Sequence, residues 1–289
     1  MKIAFHGAAR TVTGSKHLIT LDDSTQLLLD CGLFQGRGIA TDEWNRKFGF
    51  NPEYLNYVVL SHAHIDHSGL LPKLVAEGFR GPIFCTKATL DLVRILLLDS
   101  AKIQEQDVFY ENKHRLKNHE DLLEPLYTEE DVETTFTLFK TVDYDTDFAI
   151  HPSISLRFTD AGHILGSAAV HLAITENGKT TRITFSGDVG RYGDLLLRSP
   201  QTFPQADYIL LESTYGDRLH EEVQDPADEI RQIIEQTCVK NGGKVIIPAF
   251  SVGRTQELLY ILNGLELAGK LPDVPYYVDS PLSSKLQKW

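Results

Sequence analysis

The 289-residue chain lacks the marks of a membrane-bound or disulfide-stapled protein. No stretch approaches the roughly 20 apolar residues that span a bilayer, and Met1-Lys2-Ile3-Ala4-Phe5-His6 has no signal-peptide core, so the expected home is cytoplasmic. The three cysteines, Cys31, Cys85 and Cys238, are odd in number and show no C-x-x-C spacing. They read as reduced core thiols, which excludes a disulfide framework and a zinc knuckle. Positive charge is also scarce: 28 Lys and Arg stand against 40 Asp and Glu, a formal net charge of -12. From Ser213 onward the counts are 8 and 11, so neither part of the chain is basic. A nucleic-acid partner draws on clustered Lys and Arg, and the balance counts mildly against one. Two bound dications would offset about four units of it, however, and carboxylates of a metal site inflate the negative count. No internal repeat or low-complexity segment is present. At 42% hydrophobic residues the chain can bury a substantial core in one or two domains.

What is present is concentrated chemistry. Between Ser61 and Gly69 the chain reads His62-Ala63-His64-Ile65-Asp66-His67, three of its 11 histidines and a carboxylate within six residues, directly after the apolar run Tyr57-Val58-Val59-Leu60. Alternating imidazoles leaving the end of a buried strand can grip one ion through His62 and His64, while Asp66 and His67 face a second. Burying so many titratable groups without an ion would be costly. A two-metal hydrolytic centre needs a further His and a bridging acid, each after its own strand. His163 follows the alternating run Ile154, Leu156, Phe158 and a glycine-bounded turn; Asp188 follows Ile183-Thr184-Phe185-Ser186-Gly187. Asp30 ends the run Leu27-Leu28-Leu29, where it could accept the free ring N–H of a ligating histidine. Capping a turn is the alternative for Asp30, His163 and Asp188.

In the order Asp30, His62-x-His64-x-Asp66-His67, His163, Asp188, the chain resembles the metallo-β-lactamase-fold hydrolases. The resemblance implies one ion on His62, His64 and His163, another on Asp66 and His67, and Asp188 bridging them. Further on, Leu210-Leu211-Glu212-Ser213-Thr214-Tyr215-Gly216-Asp217 is similar to the first motif of the β-CASP nucleases, the family that includes the messenger-RNA 3′-end cleavage endonuclease and its prokaryotic relatives. Pro248-Ala249-Phe250-Ser251-Val252-Gly253-Arg254 and Tyr277-Val278-Asp279-Ser280-Pro281-Leu282 resemble further segments of that family's cap, and Gly7 to Ser15 and Leu33-Phe34-Gln35-Gly36 its opening. The implied architecture is α/β: an αββα metallo-β-lactamase sandwich over 1–212, incomplete at its C-terminal end, then part of a parallel α/β β-CASP cap over 213–289. A family member would continue through two more histidine motifs and a final metal-binding histidine. The chain therefore reads as the N-terminal part of a longer protein, its second metal position short of a ligand and its activity alone in doubt.

The organisation agrees with an α/β pattern. Strands are expected over 26–30, 57–60 and 82–85, helices over 70–77 and 88–104, then an exposed, charged excursion over 107–126 near the site mouth. Thr128-Glu129-Glu130-Asp131 looks like a helix N-cap with acids in the first turn. Asn177-Gly178, between two alternating runs, signals a hairpin. Beyond Glu212, Asp225-Pro226 opens a helix closed by Gly242-Gly243, followed by a strand over 245–248, a helix over 255–267, a strand over 276–279 and a helix from about Pro281.

The expected function is a metal-dependent phosphodiester hydrolase cleaving RNA, more an endonuclease than an exonuclease, with two Zn2+ (Mn2+ as the alternative) and a single-stranded RNA substrate. Asp66 would hold metal and orient the attacking water. Glu212 would support a cap histidine in proton delivery, with a surface salt bridge as its plainer role. Ser251 and Arg254, at a helix N-terminus, suit a phosphate, although a surface arginine is the simpler account. A homodimer is allowed and membrane association is not expected. The competing readings are a glyoxalase II-like thioester or lactone hydrolase, which shares the ligands through Asp188 but has no use for the cap segments, and a non-catalytic RNA-binding subunit. His6, His17, His114, His119, His151, His171 and His220 carry no pattern of their own; His17, beside the Gly14-Ser15 turn, is the one that could approach the site.

Overall fold

A computed structural model describes residues 1–36, 39–219 and 225–286. His220 lies outside the described residues. The chain divides into two compact units, Met1–Glu212 and Ser213–Trp289.

In the first unit, β1 (Lys2–Phe5), β2 (His17–Thr20), β3 (Gln26–Leu29), β4 (Tyr57–Val59), β5 (Ile83–Cys85) and β6 (Phe139–Thr141) form one sheet in that order. The first three strands are antiparallel neighbours and β3 to β6 run parallel. A second sheet has the order β11 (Tyr208–Leu210), β10 (Lys179–Phe185), β9 (Ala168–Glu176), β8 (Ile154–Asp160), β7 (Phe148–His151). Alternation decides how the sheets meet. Leu27, Leu29, Val59 and Phe84 of the first share one core with Leu156, Phe158, Val170, Leu172, Ile183 and Phe185 of the second. The intervening residues Leu28, Val58 and Ile83 are equally buried, so the first sheet is covered on both faces, as parallel strands require. Helices α1 (Ile39–Arg46), α2 (Ile65–Ser68), α3 (Leu71–Ala76), α4 (Lys87–Asn118) and α5 (Glu129–Phe136) complete this unit, with α3 and α4 packed on α5. The sequence cues at α5 and at the hairpin hold. Thr128 and Asp131 form a reciprocal capping box, and β9 turns into β10 through Asn177 and Gly178, both at positive φ.

Three expectations are corrected. The segment after 104 is helix as far as Asn118, not an irregular excursion. From Lys87 to Asn118 there is neither glycine nor proline, and Glu, Gln, Lys, Arg and Leu sustain a helix whose last turns are solvated on nearly all sides, which hides its period. The helix expected over 70–77 is α3, and a separate single turn, α2, precedes it across Gly69 and Leu70. The runs 245–248 and 276–279 are not strands: among the described residues neither has a ladder partner, and Ile246 and Tyr277 are 88% and 86% exposed. An apolar run without a neighbour to share backbone hydrogen bonds with does not become a strand. Among its described residues the second unit thus has α6 (Pro226–Ile234), a π-helical continuation (Glu235–Lys240), α7 (Arg254–Leu267) and α8 (Pro281–Leu286). Asp225 caps α6 by accepting from the Asp228 amide. No described helix is long and apolar enough to cross a membrane. All three cysteines are free thiols, and burial pushes Cys31 up to about 12.

Strand direction creates the site. Parallel β3 and β4 end side by side, so Asp30 and Ser61 leave the same sheet edge, tied by the Asp30 amide to the Val59 carbonyl at 3.0 Å. Because β9 is antiparallel to both β8 and β10, those two also end together and send His163 and Asp188 the same way. The Ala168 amide donates to the Ser61 carbonyl at 2.9 Å and joins the two edges. Gly32 allows the closest approach, since a Cβ there would sit inside the Asp66 carbonyl. Gly32→Ala must push these backbones apart, and a loss of about 1–3 kcal/mol in the unfolding free energy from urea titration is expected, together with displacement of Asp66; unchanged stability would show that the two segments do not touch.

Candidate metal centre

Four ligand atoms converge where the strands end. Those of His62, His64, His163 and Asp188 all lie within 4.8 Å of one another. His64 Nδ1 is 3.2 Å from His62 Nε2 and 3.1 Å from His163 Nε2. Asp188 Oδ2 is 3.4 Å from His163 Nε2 and 3.8 Å from His62 Nε2. A tetrahedral ion with ligands at ~2.05 Å has edges of about 3.3 Å, so these separations fit one zinc-sized cation. The other oxygen of the same carboxylate faces elsewhere: Asp188 Oδ1 is 3.2 Å from His67 Nε2, which in turn lies 3.8 Å from Asp66 Oδ2. One carboxylate thus faces two adjacent groups of donors.

Local structure explains the aim of each side chain. His64 occupies the N-cap of α2 and Asp66 and His67 lie in its single turn, so the three project differently from a rigid corner. The His163 turn is clamped from α4, where the Thr86 and Thr89 hydroxyls both donate to the Gly166 carbonyl at 2.7 and 2.8 Å. It also touches the Asp188 loop: the Gly190 amide donates to Ala161 O, and a side chain on Gly190 would overlap Gly162 O.

Asp30 is fully buried, at φ 58°. Its Oδ2 accepts from His67 Nδ1 at 2.7 Å, Ser61 Oγ at 2.9 Å and Ser15 Oγ at 3.2 Å, and its Oδ1 from the Ser61 amide at 2.8 Å. It therefore orients His67 and is more than a turn cap. Glu212 makes two hydrogen bonds to the neighbouring segments. Its Oε1 accepts from the Val189 amide at 3.1 Å and its own amide donates to Ser186 Oγ at 3.1 Å, which fastens the strand end carrying Glu212 to the loop carrying Asp188. Ser251 and Arg254 belong to the second unit. Ser251 Oγ lies 3.2 Å from Ser280 Oγ, and Arg254, the first residue of α7, donates to Glu257 Oε2 at 2.6 Å.

Sequence reasoning passed over Ser15, Ser61 and the partner of His17, whose Nε2 lies 3.4 Å from Ser15 Oγ. A serine beside a ligand has no spacing signature; only the fold shows what its hydroxyl meets. Lys16, 1% exposed, was also missed: its ammonium donates to Gly32 O at 2.8 Å and lies 4.1 Å from the centre of the Phe34 ring, and burial lowers it to about 8. His171 is a satisfied structural histidine, bonded on both sides by Thr159 and Thr184.

Charge follows from burial. Desolvation, reinforced by the neighbouring imidazoles, holds His62 well below its usual range, and desolvation with His163 nearby lowers His64 to about 4. Desolvation would also lower His67, but Asp30 and Asp188 outweigh it and raise the group to about 10. Burial likewise raises Asp66, whereas at Asp188 the His67 bond overcomes burial and lowers the carboxylate. Neutral imidazoles and an ionised bridging carboxylate are the forms that bind a divalent cation.

The fold and these donors define a two-sheet hydrolase-type scaffold with a His/Asp cluster at its strand ends that could hold a metal ion. Residues 18–206 match the Metallo-beta-lactamase superfamily domain. The chain belongs to the metallo-β-lactamase superfamily and, within it, to the β-CASP branch its motifs resemble. It is 39% identical over 286 residues to Ribonuclease TTHA0252 of Thermus thermophilus, covering 99% of this chain and 60% of that protein. It is 31% identical to an RNase J-like protein of Methanocaldococcus jannaschii (97% and 58%) and 35% identical to Transcription termination factor FttA of Methanothermobacter thermautotrophicus (89% and 38%). The chain thus spans between 38% and 60% of the length of these relatives.

The signs of the histidine shifts fix how the metal-free chain responds to pH. His64 is neutral in the fold down to about 4 but charges below about 6.5 when unfolded, so acidification from 6.5 through 4 removes stability. His67 stays charged in the fold up to about 10, so its contribution is complete below 6.5 and is lost as pH rises through 10. In urea titrations across this range, His64→Gln is expected to flatten the acid limb and His67→Gln the alkaline limb. Parallel profiles for wild type and both variants would contradict these charge states.

Proposed function

We propose that this chain is the metal-dependent catalytic portion of a ribonuclease, with 1–212 as the metallo-hydrolase domain and 213–289 as the N-terminal part of a β-CASP cap. The observation that carries the reading is Asp188, whose two oxygens face two separate sets of donors. His62, His64 and His163 would hold one ion, Asp66 and His67 the other, and Asp188 both. Zinc suits the mixed imidazole and carboxylate set, with manganese as the alternative. Two such cations, when bound, lower the pKa of water toward neutrality and neutralise charge on a phosphodiester oxygen.

The remaining roles fall to the chain's own residues. Asp66, half-buried and beside the carboxylate proposed to bridge, orients the attacking water in line with phosphorus. Asp30 holds His67 through Nδ1, so that Nε2, once it gives up its proton, would be the atom that meets an ion. Glu212 fixes the Asp188 loop through the Val189 amide, a positioning role, in addition to the support for a cap histidine that the family resemblance implies. Ser251 and Arg254 are read as phosphate contacts, for which Arg254 exchanges Glu257 for an RNA phosphate. The names of the relatives support RNA as the substrate. Internal cleavage of single-stranded RNA is the mode proposed.

The test uses the protein encoded by the whole reading frame and labelled single-stranded RNA, both linear and circular. Cleavage that needs added Zn2+ or Mn2+, stops with chelator and opens the circle is expected. Chelator-insensitive cleavage, or thioester hydrolysis without RNA cleavage, would overturn the proposal. Asp66→Ala is expected to lower turnover by about 10²–10⁴-fold with the fold retained; near-normal rates would remove Asp66 from its role.

A further inference from the structure

Behind the proposed ligands lies a side chain that would ligate neither ion. Ser61 is 1% exposed and sits at the end of β4, one residue before the first ligand. Its hydroxyl has two neighbours: Asp30 Oδ2 at 2.9 Å and His62 Nδ1 at 3.0 Å. A hydroxyl has one proton to give. Asp30 receives the Ser61 amide on Oδ1 and His67 Nδ1 on Oδ2, so both of its oxygens are acceptors here and the Ser61 proton goes to the carboxylate. The contact with His62 is then a hydrogen bond only if His62 Nδ1 carries a hydrogen and donates it to Ser61 Oγ. That leaves the lone pair on His62 Nε2, the atom facing His64 and Asp188.

We infer that Ser61 is a positioning residue that passes the influence of one buried carboxylate to both ion positions. Asp30 fixes His67 directly, and through Ser61 it fixes which nitrogen of His62 is bare. Ser15 supplies the internal comparison. Its hydroxyl also donates to Asp30 Oδ2, at 3.2 Å, but its other neighbour is His17, which is not among the proposed ligands. Removing either hydroxyl takes one donor from the same carboxylate oxygen, and only Ser61 reaches His62. The ring preference of His62 follows from these contacts alone; its effect on ion affinity rests on the two-ion reading proposed above.

The experiment is long-range proton–nitrogen NMR of the imidazoles in the ¹⁵N-labelled 289-residue chain stripped of metal, with His62 assigned by its absence in His62→Gln. In the wild type, His62 is expected with Nδ1 protonated and Nε2 bare. Ser61→Ala removes the acceptor and is expected to shift His62 toward the opposite tautomer, whereas Ser15→Ala leaves it in place. In Zn2+ titrations against a chromophoric chelator, Ser61→Ala is expected to weaken the position built on His62 by about 10-fold or more, and the other position less. A wild-type His62 protonated at Nε2 would overturn the inference, as would equal shifts in the two serine variants. Failure of the wild type to bind any ion would overturn the two-ion reading instead, and the tautomer would still decide the role of Ser61.

Discussion

Everything at the strand ends answers to one constraint: three imidazoles and a carboxylate have been brought within 4.8 Å of one another, largely out of water. In that arrangement neutral rings set lone pairs against lone pairs, and protonated rings repel and desolvate. A cation removes both penalties. The cost of gathering these groups out of water is visible in the lowered His62, His64 and His163 and in the raised Asp66. His67 escapes this trend because Asp30 and Asp188 surround it with negative charge.

The rest of the first unit serves to hold those groups in place. Two sheets meeting across an apolar core bring four parallel-directed strand ends together, and each end delivers one short loop. The loops are then locked to one another through backbone contacts that exclude side chains, at Gly32 against Asp66 and at Gly190 against Gly162. Asp30 and Glu212 extend the locking with carboxylates that accept from backbone amides of Ser61 and Val189, next to ligands on either side. Ligands supported in this way lose little entropy on binding an ion, because their geometry exists beforehand.

The clustering of these side chains was legible in the sequence because their spacing is local and each motif follows an apolar run that must be a strand. The hairpin at Asn177-Gly178 and the cap at Thr128 were legible for the same reason, as their chemistry is complete within four residues. Three things were not. The outer turns of α4 have helical propensity without an apolar stripe, so periodicity cannot find them. The runs 245–248 and 276–279 have strand composition, but a strand is defined by its neighbour, which no local pattern supplies. The hydroxyls of Ser15 and Ser61 acquire meaning only when Asp30, distant in sequence, arrives between them.

The central claim is that the cluster is a two-ion centre, and metal analysis joined to anomalous diffraction of protein never exposed to chelator addresses it most directly. The account predicts two divalent cations per chain, one among His62, His64, His163 and Asp188, the other against Asp66, His67 and the second oxygen of Asp188. A cluster without metal in such protein, or ions bound only elsewhere, would contradict it.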